Sequence, residues 1–227
     1  MLSDAEWEAL TLSFRIASVG VACALPFAVA VAYVLARVRL PAKTLLDGIV
    51  HLPLVLPPVV IGYLLLVTFG TRAPVGGWLL ETFGIRLVFD WKGAALAVAV
   101  VTFPFTVRAV RLSLEAADPE LETAARTLGA GRIDVFWTIT LPQALPGIIA
   151  GAITAFAAGL GEFGAIITFV SNVPGETRTL PLAIYTAIQT PGGEAQALRL
   201  ALISITPALA GLALAELAAG RIRRGRG

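Results

Sequence analysis

The chain has 227 residues, of which 57% are hydrophobic and 14% charged, and its formal net charge is +2. Soluble domains carry about a quarter charged residues, so this composition excludes an ordinary soluble domain and indicates that lipid is the main solvent. The single cysteine, Cys23, and the single histidine, His51, exclude an internal disulfide and a cluster of cysteine or histidine metal ligands. Because the basic residues lie at the ends of apolar runs, they indicate membrane topology rather than nucleic-acid binding.

Five apolar stretches are long enough to cross a bilayer, since a membrane helix needs about 20 mostly apolar residues. Acidic but no basic residues precede the first stretch, so we expect it to be retained rather than cleaved as a signal peptide. The second stretch contains Pro53, Pro57 and Pro58, and we expect a kinked helix that crosses once. The predicted fold class is all-α, a polytopic membrane bundle of about five transmembrane helices in which residues 1–227 form one domain. The spans are predicted at about 9–36, 47–69, 93–114, 145–170 and 196–219.

Lysine and arginine accumulate on the cytoplasmic side of membrane proteins, and in this chain they are unevenly distributed. They are concentrated after the first span, around the segment that follows the third span, and after the fifth span. This pattern predicts an N-terminus outside the cytoplasm and a C-terminus inside it. The residues are Arg37, Arg39 and Lys43, then Arg108, Arg111, Arg126 and Arg132, then Arg221, Arg223, Arg224 and Arg226.

The longest polar stretch on the cytoplasmic side is the segment 115–142, between the third and fourth spans. Pro119 is suited to the first turn of a helix and Asp118 to its cap, while Gly129 and Gly131 are suited to stop it. Leu141-Pro142 then marks the return to the membrane. A short surface helix held between two spans is a rigid projection that a cytosolic partner can bind.

This segment resembles the EAA loop of the membrane subunits of bacterial ATP-binding-cassette importers, written E-A-A, three residues, G, nine residues, I-x-L-P. Thr123 occupies the glutamate position and Glu122 precedes it, so we expect the acidic contact to be displaced along the helix. Glu115-Ala116-Ala117 does not fit, because the required glycine would be Leu121. The resemblance implies a coupling helix that docks into a cleft of an ATPase subunit. The candidate coupling residues are Glu122, Thr123, Ala124, Ala125, Arg126, Gly129, Ile139, Leu141 and Pro142.

A second stretch narrows the resemblance to the permeases of molybdate importers. It comprises Gly159-Leu-Gly-Glu-Phe-Gly164, the run from Thr168 to Pro181 and the run from Gln189 to Glu194. Sulfate and thiosulfate permeases share the Gly-Glu-Phe-Gly-Ala pattern and remain the alternative.

The likeness extends along most of the chain and implies the type I ABC importer permease fold in a bacterial inner membrane. It also implies a homodimer of permease subunits, two cytosolic ATPase subunits that carry ATP and Mg, and a periplasmic binding protein that delivers molybdate or tungstate. With that topology the N-terminus is periplasmic. No cofactor, metal or nucleic acid is expected on this chain itself.

Other classes of function lack their motifs. The sequence contains no G-x-x-x-x-G-K-[ST] phosphate loop, no H-E-x-x-H and no G-x-S-x-G, so neither a nucleotide site nor an enzyme is expected. An ion-coupled carrier would need paired carboxylates within the membrane or repeated halves, and Glu162 is the one carboxylate well inside a span.

Four further groups are candidates for a role inside the bundle. Glu162 is expected either to pair with Arg15 or to bond to hydroxyls or water at a subunit interface. The glycines Gly159, Gly161 and Gly164 favour close helix packing, with a gating hinge as the sharper alternative. Arg108 and Arg111 favour contact with lipid headgroups over a place in the substrate path, and His51 favours a helix-end role.

Overall fold

The structure is a computed structural model that describes residues 3–38 and 41–224, without the side chains at 208, 211, 212 and 214–224. Arg39 and Arg226 of the orientation argument lie outside the described residues, as do the side chains of Arg221, Arg223 and Arg224. Every element in the described ranges is a helix. The elements are α1 Asp4–Arg37, α2 Lys43–Val55, α3 Pro58–Phe69, α4 Pro74–Phe83, α5 Trp91–Glu115, α6 Pro119–Thr127, α7 Arg132–Val135, a π-helical turn Phe136–Thr140, α8 Leu141–Leu160, α9 Gly164–Val170, α10 Leu180–Gln189 and α11 Glu194–Arg224.

Helix α5 is the centre of the bundle and packs along both α1 and α8. The end of the bundle that carries α6 is called the α6 end, and the opposite end, where α5 begins, is called the Trp91 end. One apolar core at the Trp91 end contains Ile16, Val98 and Phe169. A second core at the α6 end contains Leu35 and Leu114, so the same two long helices are fixed at both ends.

Three helical stretches in the described residues are long and apolar enough to cross a membrane: α1, α5 and the stretch Arg132–Leu160. The pair α2 and α3 makes a fourth if it counts as one span. The spans predicted at 9–36 and 93–114 coincide with the long helices α1 and α5, and their crossing of a membrane stays a prediction. The span predicted at 196–219 lies in α11, which is helical throughout, although most of its side chains beyond Pro207 are outside the described part.

The second predicted span, 47–69, is not one kinked helix. It is two helices, α2 and α3, bent by 111° at a short break. Leu56 has ψ 140° and Pro57 has ψ 135°, because a residue before proline is driven out of the helical region and each of these precedes one. Pro58 then starts α3 at a position where its missing N–H costs nothing. The prolines therefore break the span rather than kink it.

The fourth predicted span, 145–170, is also wrong in form. The helix begins earlier, at Arg132, and continues through the π-helical turn, so Leu141-Pro142 lies within a continuous helical stretch. The chain then leaves the helix after Leu160 and resumes as α9 at Gly164. A π-helical turn already interrupts the ordinary hydrogen-bond ladder, which allows a proline two residues later.

Candidate functional site

Helix α6 has the boundaries that its sequence predicts. Pro119 is its first residue, and the Asp118 side chain accepts a hydrogen bond from the Glu120 backbone N–H at 2.8 Å. Beyond its last turn, Gly129 has a φ of +91°, and the Ala130 N–H donates back to the Ala125 carbonyl at 3.0 Å. This is the glycine stop in which a left-handed residue lets the chain satisfy the last free carbonyls.

The Glu122 side chain points into the folded chain and not toward solvent. The residue is 6% exposed, and its Oε1 lies 3.2 Å from Nε of Arg37 at the end of α1. The same oxygen accepts a hydrogen bond from the Thr140 hydroxyl at 3.1 Å, in the π-helical turn. Oε2 lies 3.7 Å from Nη2 of Arg126 on α6 itself. One carboxylate therefore contacts α1, α6 and the π-helical turn that leads into α8.

A buried carboxylate is stable only when it is paired and hydrogen-bonded, so these contacts fix α6 relative to the two spans that flank it. Arg37 adds a second link, because its Nη2 donates to the Ala117 carbonyl at 3.4 Å, just before α6. In this arrangement the Glu122 oxygens are engaged within the chain rather than presented to a partner. Thr123, at the glutamate position of the EAA pattern, is exposed, and its hydroxyl donates to the Pro119 carbonyl.

The outer surface of this segment carries large apolar side chains that the sequence reasoning did not single out. Leu128 is 88% exposed and Ile133 is 74% exposed, with Leu121 and Trp137 also more than half exposed. Exposed apolar groups gathered on one short segment are typical of protein interaction sites. The sequence does contain one indication of this surface. Leu128 stands immediately before the glycine stop, where a solvent-exposed helix end favours a polar residue.

The remaining coupling candidates lie around this surface. Ala124 and Arg126 are exposed and Ala125 is half-buried, so the small residues leave room for a partner to approach α6. Ile139 and Leu141 are half-buried. A cleft of about 400 Å³ runs beside them, and its walls are Leu121, Thr138, Ile139, Pro142 and Gln143.

The expected ion pair between Arg15 and Glu162 is not formed within the described part of the chain. Glu162 is buried, and its Oε1 accepts a hydrogen bond from the Ala165 N–H at 2.8 Å, so it caps α9 after the break at Gly161. The Arg15 guanidinium instead lies over the ring of Trp91, 3.8 Å from its centroid. The break in the fourth span turns the carboxylate back onto the chain, while the aromatic face stabilises the cation. The alternative, a contact at a subunit interface, stays a prediction.

The three glycines near this break differ in their surroundings. A Cβ on Gly159 would lie 2.7 Å from Cγ1 of Val98, and one on Gly164 would lie 2.8 Å from Cβ of Pro58. These two glycines allow close packing of helices within one chain. Gly161 is exposed, with nothing nearer than 3.6 Å, and a hinge there stays a prediction.

The basic residues near the α6 end of α5 have different surroundings. Arg111 bonds to Asp47 on α2 at 2.8 Å and to Glu115 on its own helix at 2.7 Å. His51 lies within α2 and not at the expected helix end, and its Nδ1 is 2.9 Å from the Asp47 backbone carbonyl one turn earlier. Asp47, His51 and Arg111 line a cavity of about 280 Å³. Arg108 is exposed and lines this cavity too. Arg111 therefore ties α2 to α5, and both its contact with lipid headgroups and the alternative place in the substrate path stay predictions.

A polar network at the Trp91 end was not predicted. Glu6, at the start of α1, accepts hydrogen bonds from Nε and Nη2 of Arg199 on α11 and is 2% exposed. The buried Ser13 hydroxyl accepts the Leu180 N–H at 2.7 Å, which fixes the start of α10 against α1. The sequence contains only a weak indication of this network, because an acidic residue just before an apolar span, such as Glu6, is usually exposed to solvent.

An all-helical bundle with apolar spans and a capped helix projecting at one end defines an integral membrane subunit of the transport class. The chain belongs to the family of binding-protein-dependent transport system inner membrane components, whose profile matches residues 24–224. The molybdenum transport system permease protein ModB of Escherichia coli (strain K12) is 58% identical over 226 residues, covering 100% of this chain and 98% of that protein.

A sulfate permease and a solved importer are less similar to this chain. The sulfate transport system permease protein CysT of Escherichia coli (strain K12) is 39% identical over 163 residues, covering 72% of this chain and 58% of that protein. A solved bacterial ABC transporter involved in the import of the acidic polysaccharide alginate superposes with a TM-score of 0.69 at 19% identity, over 98% of this chain and 80% of that chain. That structural likeness establishes the type I importer architecture of the bundle.

Proposed function

We propose that this chain is the membrane-spanning permease subunit of an ATP-driven importer for molybdate. The observation that carries the proposal is α6 itself: a capped helix with exposed apolar side chains, joined through Glu122 to the spans on either side. A helix held in this way transmits a push from a partner to the bundle instead of bending. The chain then works mechanically and hydrolyses nothing, with ATP and Mg bound by the ATPase subunits.

The assembly that suits this role is a homodimer of permease subunits with two cytosolic ATPase subunits. In it, residues 1–227 act as one transmembrane domain in the bacterial inner membrane. The α6 end is cytoplasmic, as is the C-terminus, and the N-terminus is periplasmic. Arg37 and Arg126 at the α6 end agree with this orientation, because basic residues favour the cytoplasmic side.

The coupling surface consists of the exposed side of α6 and the residues that follow it, with Thr123, Ala124 and Ala125 beside Leu128 and the cleft at Ile139 and Pro142. Movement of the ATPase subunits displaces this surface. The Arg37 contact carries the displacement to α1, and the Thr140 contact carries it to α8. Both spans pack against α5, so the displacement reaches the centre of the bundle.

The identity of the cargo is supported by the relatives. The likeness to a molybdenum permease runs the full length of the chain, whereas the likeness to a sulfate permease is weaker and shorter. A periplasmic binding protein delivers the anion at the Trp91 end, and its selectivity decides between molybdate and tungstate. Sulfate or thiosulfate is the second candidate cargo, because these anions share tetrahedral geometry and a double negative charge with molybdate.

The test is ATP hydrolysis by the chain reconstituted in liposomes with its ATPase and binding-protein partners. Molybdate-loaded, sulfate-loaded and empty binding protein are compared. Stimulation by the molybdate-loaded protein alone supports the proposal, and its loss in Gly129→Asp ties the effect to the α6 segment. Stimulation by the sulfate-loaded protein alone would replace the cargo, and a complex that responds to no loaded protein would contradict the importer function.

A further inference from the structure

A small cleft lies between the start of α1, α10 and α11 at the Trp91 end. It has a volume of about 140 Å³, which corresponds to about five water molecules at roughly 30 Å³ each. It is lined by Glu6, Arg178, Thr186, Thr190, Gln196 and four apolar side chains. The cleft is therefore polar, partly enclosed and large enough for a small hydrated ion.

Arg178 supplies the free charge of this cleft. Its Nε donates to the Asn172 side-chain oxygen at 3.0 Å, and within the described residues the guanidinium has no carboxylate partner and no further hydrogen bond. The Asn172 amide in turn donates to the Thr186 hydroxyl at 2.8 Å. The Arg178 guanidinium is thus held through Nε, while its two terminal nitrogens keep their donors for a ligand.

The one carboxylate in the lining is already neutralised. Glu6 Oε1 accepts from Arg199 and Oε2 accepts from the Ser3 N–H at 2.8 Å, so both oxygens are engaged. Glu6 and Arg199 together carry no net charge, and Arg178 leaves the cleft with a charge of about +1. The side-chain amide of Gln196 provides a further donor at the rim, where the residue is exposed.

The loop that carries Arg178 has a strained backbone that hydrogen bonds hold in place. Ser171 has a φ of +67°, a backbone conformation that costs a residue with a side chain of order 1 kcal/mol or more. The fully buried Thr177 holds this conformation, because its hydroxyl donates to the Ser171 carbonyl at 3.0 Å and accepts the Val173 N–H at 2.8 Å. Strain of this kind persists where the surrounding contacts fix a functional side chain.

We propose that this cleft binds a tetrahedral oxyanion on the permease itself, with Arg178 as the ligand and Asn172 and Thr186 as the residues that position it. The proposal rests on the proposed function, because it gives the cargo class a holding site at the end where the binding protein releases it. A planar guanidinium with two free nitrogens donates side by side to two oxygens of one anion.

The experiment uses the complete complex in nanodiscs, with Cys23→Ala to remove the single native thiol of this chain and Thr190→Cys to place one at the rim. The rate of thiol modification is measured with an anionic and a cationic methanethiosulfonate of similar size. We expect the ratio of the anionic to the cationic rate to exceed the ratio for a free thiol in solution, and free molybdate or sulfate to slow the anionic reaction. Arg178→Gln is expected to lower the apparent affinity for the protecting anion about tenfold, and Arg178→Lys to restore part of it.

Arg86→Gln is the matched control, since Arg86 is an exposed arginine at the same end and does not line the cleft. It should leave protection unchanged. Equal protection in Arg178→Gln and the parent would overturn the proposal. So would protection by the binding protein alone with none by free anion, because the cleft would then be a docking contact for a protein. Molybdate uptake by the parent complex is measured separately. Uptake without anion protection at the cleft would overturn the site and leave the proposed importer function intact.

Discussion

The Glu122 carboxylate and the Arg37 guanidinium meet at 3.2 Å, where the end of the first span touches the middle of α6. The side chains are only 9% and 16% exposed, so water screens the pair weakly. Removing one partner leaves a buried charge without compensation, which is the costly way to break such a pair. The pair therefore makes the position of α6 depend on the position of α1.

Glu122→Ala should uncouple the complex. We expect the free energy of unfolding to fall by about 3 kcal/mol, and substrate uptake to fall more than ATP hydrolysis, because α6 would still dock but would no longer move α1. Glu122→Gln, which can keep the Thr140 contact, should be milder. Uptake and hydrolysis are measured in the same proteoliposomes. Glu120→Gln on the same helix is the control, because Glu120 is exposed, and an equal effect there would contradict the role of the pair.

Gly129→Ala should weaken the end of α6. Its φ of +91° is strained for any residue with a side chain, whereas the space around it is open, so the cost of about 1 kcal/mol comes from the backbone alone. Gly131→Ala is the comparison, since Gly131 has an ordinary φ of −68° and meets only the Asp134 side chain. Coupled ATP hydrolysis is the measurement, and equal losses in the two variants would show that the stop conformation is not what matters.

Gly159→Ala should lower the thermal stability of the purified protein. The added Cβ would lie 2.7 Å from a methyl of Val98, a fully buried β-branched side chain that has little freedom to move. Overpacking of this kind costs about 1–3 kcal/mol. Gly161→Ala, with no neighbour inside 3.6 Å, should change the melting temperature little. If Gly161→Ala proved the more damaging, a hinge at that position would replace packing as the explanation.

Glu162→Gln should be tolerated better than Glu162→Ala. A glutamine oxygen can still accept the Ala165 N–H and cap α9, whereas alanine loses the cap at a cost of about 1 kcal/mol. Combining either change with Arg15→Gln should give additive effects within about 0.5 kcal/mol, since the two side chains do not meet in the described structure. A larger coupling energy in a double-mutant cycle would restore the ion pair as the explanation.

The features that sequence reasoning predicted well depend on neighbours in the chain. The long spans of α1 and α5 follow from long, mainly apolar runs, and the boundaries of α6 follow from Asp118, Pro119 and Gly129. Caps and glycine stops are local effects, so the chain alone determines them.

The features that it missed depend on tertiary contacts. In a sequence, proline pairs such as Pro57-Pro58 are compatible with a kink or with a break, and the structure shows the break, with α3 packed against α9. The inward direction of Glu122 depends on Arg37, which is distant in sequence, and no periodic pattern joins the two. For the same reason Glu162 was matched to the wrong partner, because a cap on a helix that resumes after a break was not predicted.

The most direct test of the importer function is uptake of molybdate into proteoliposomes that hold the permease, its ATPase subunits inside and the loaded binding protein outside. Accumulated molybdenum is measured with ATP inside, without ATP, and with ATP after ionophores have dissipated all ion gradients. We expect accumulation that requires ATP, survives the ionophores and falls in Glu122→Ala but not in Glu120→Gln. Accumulation that continues without ATP and stops when the gradients are removed would contradict the account and identify an ion-coupled carrier.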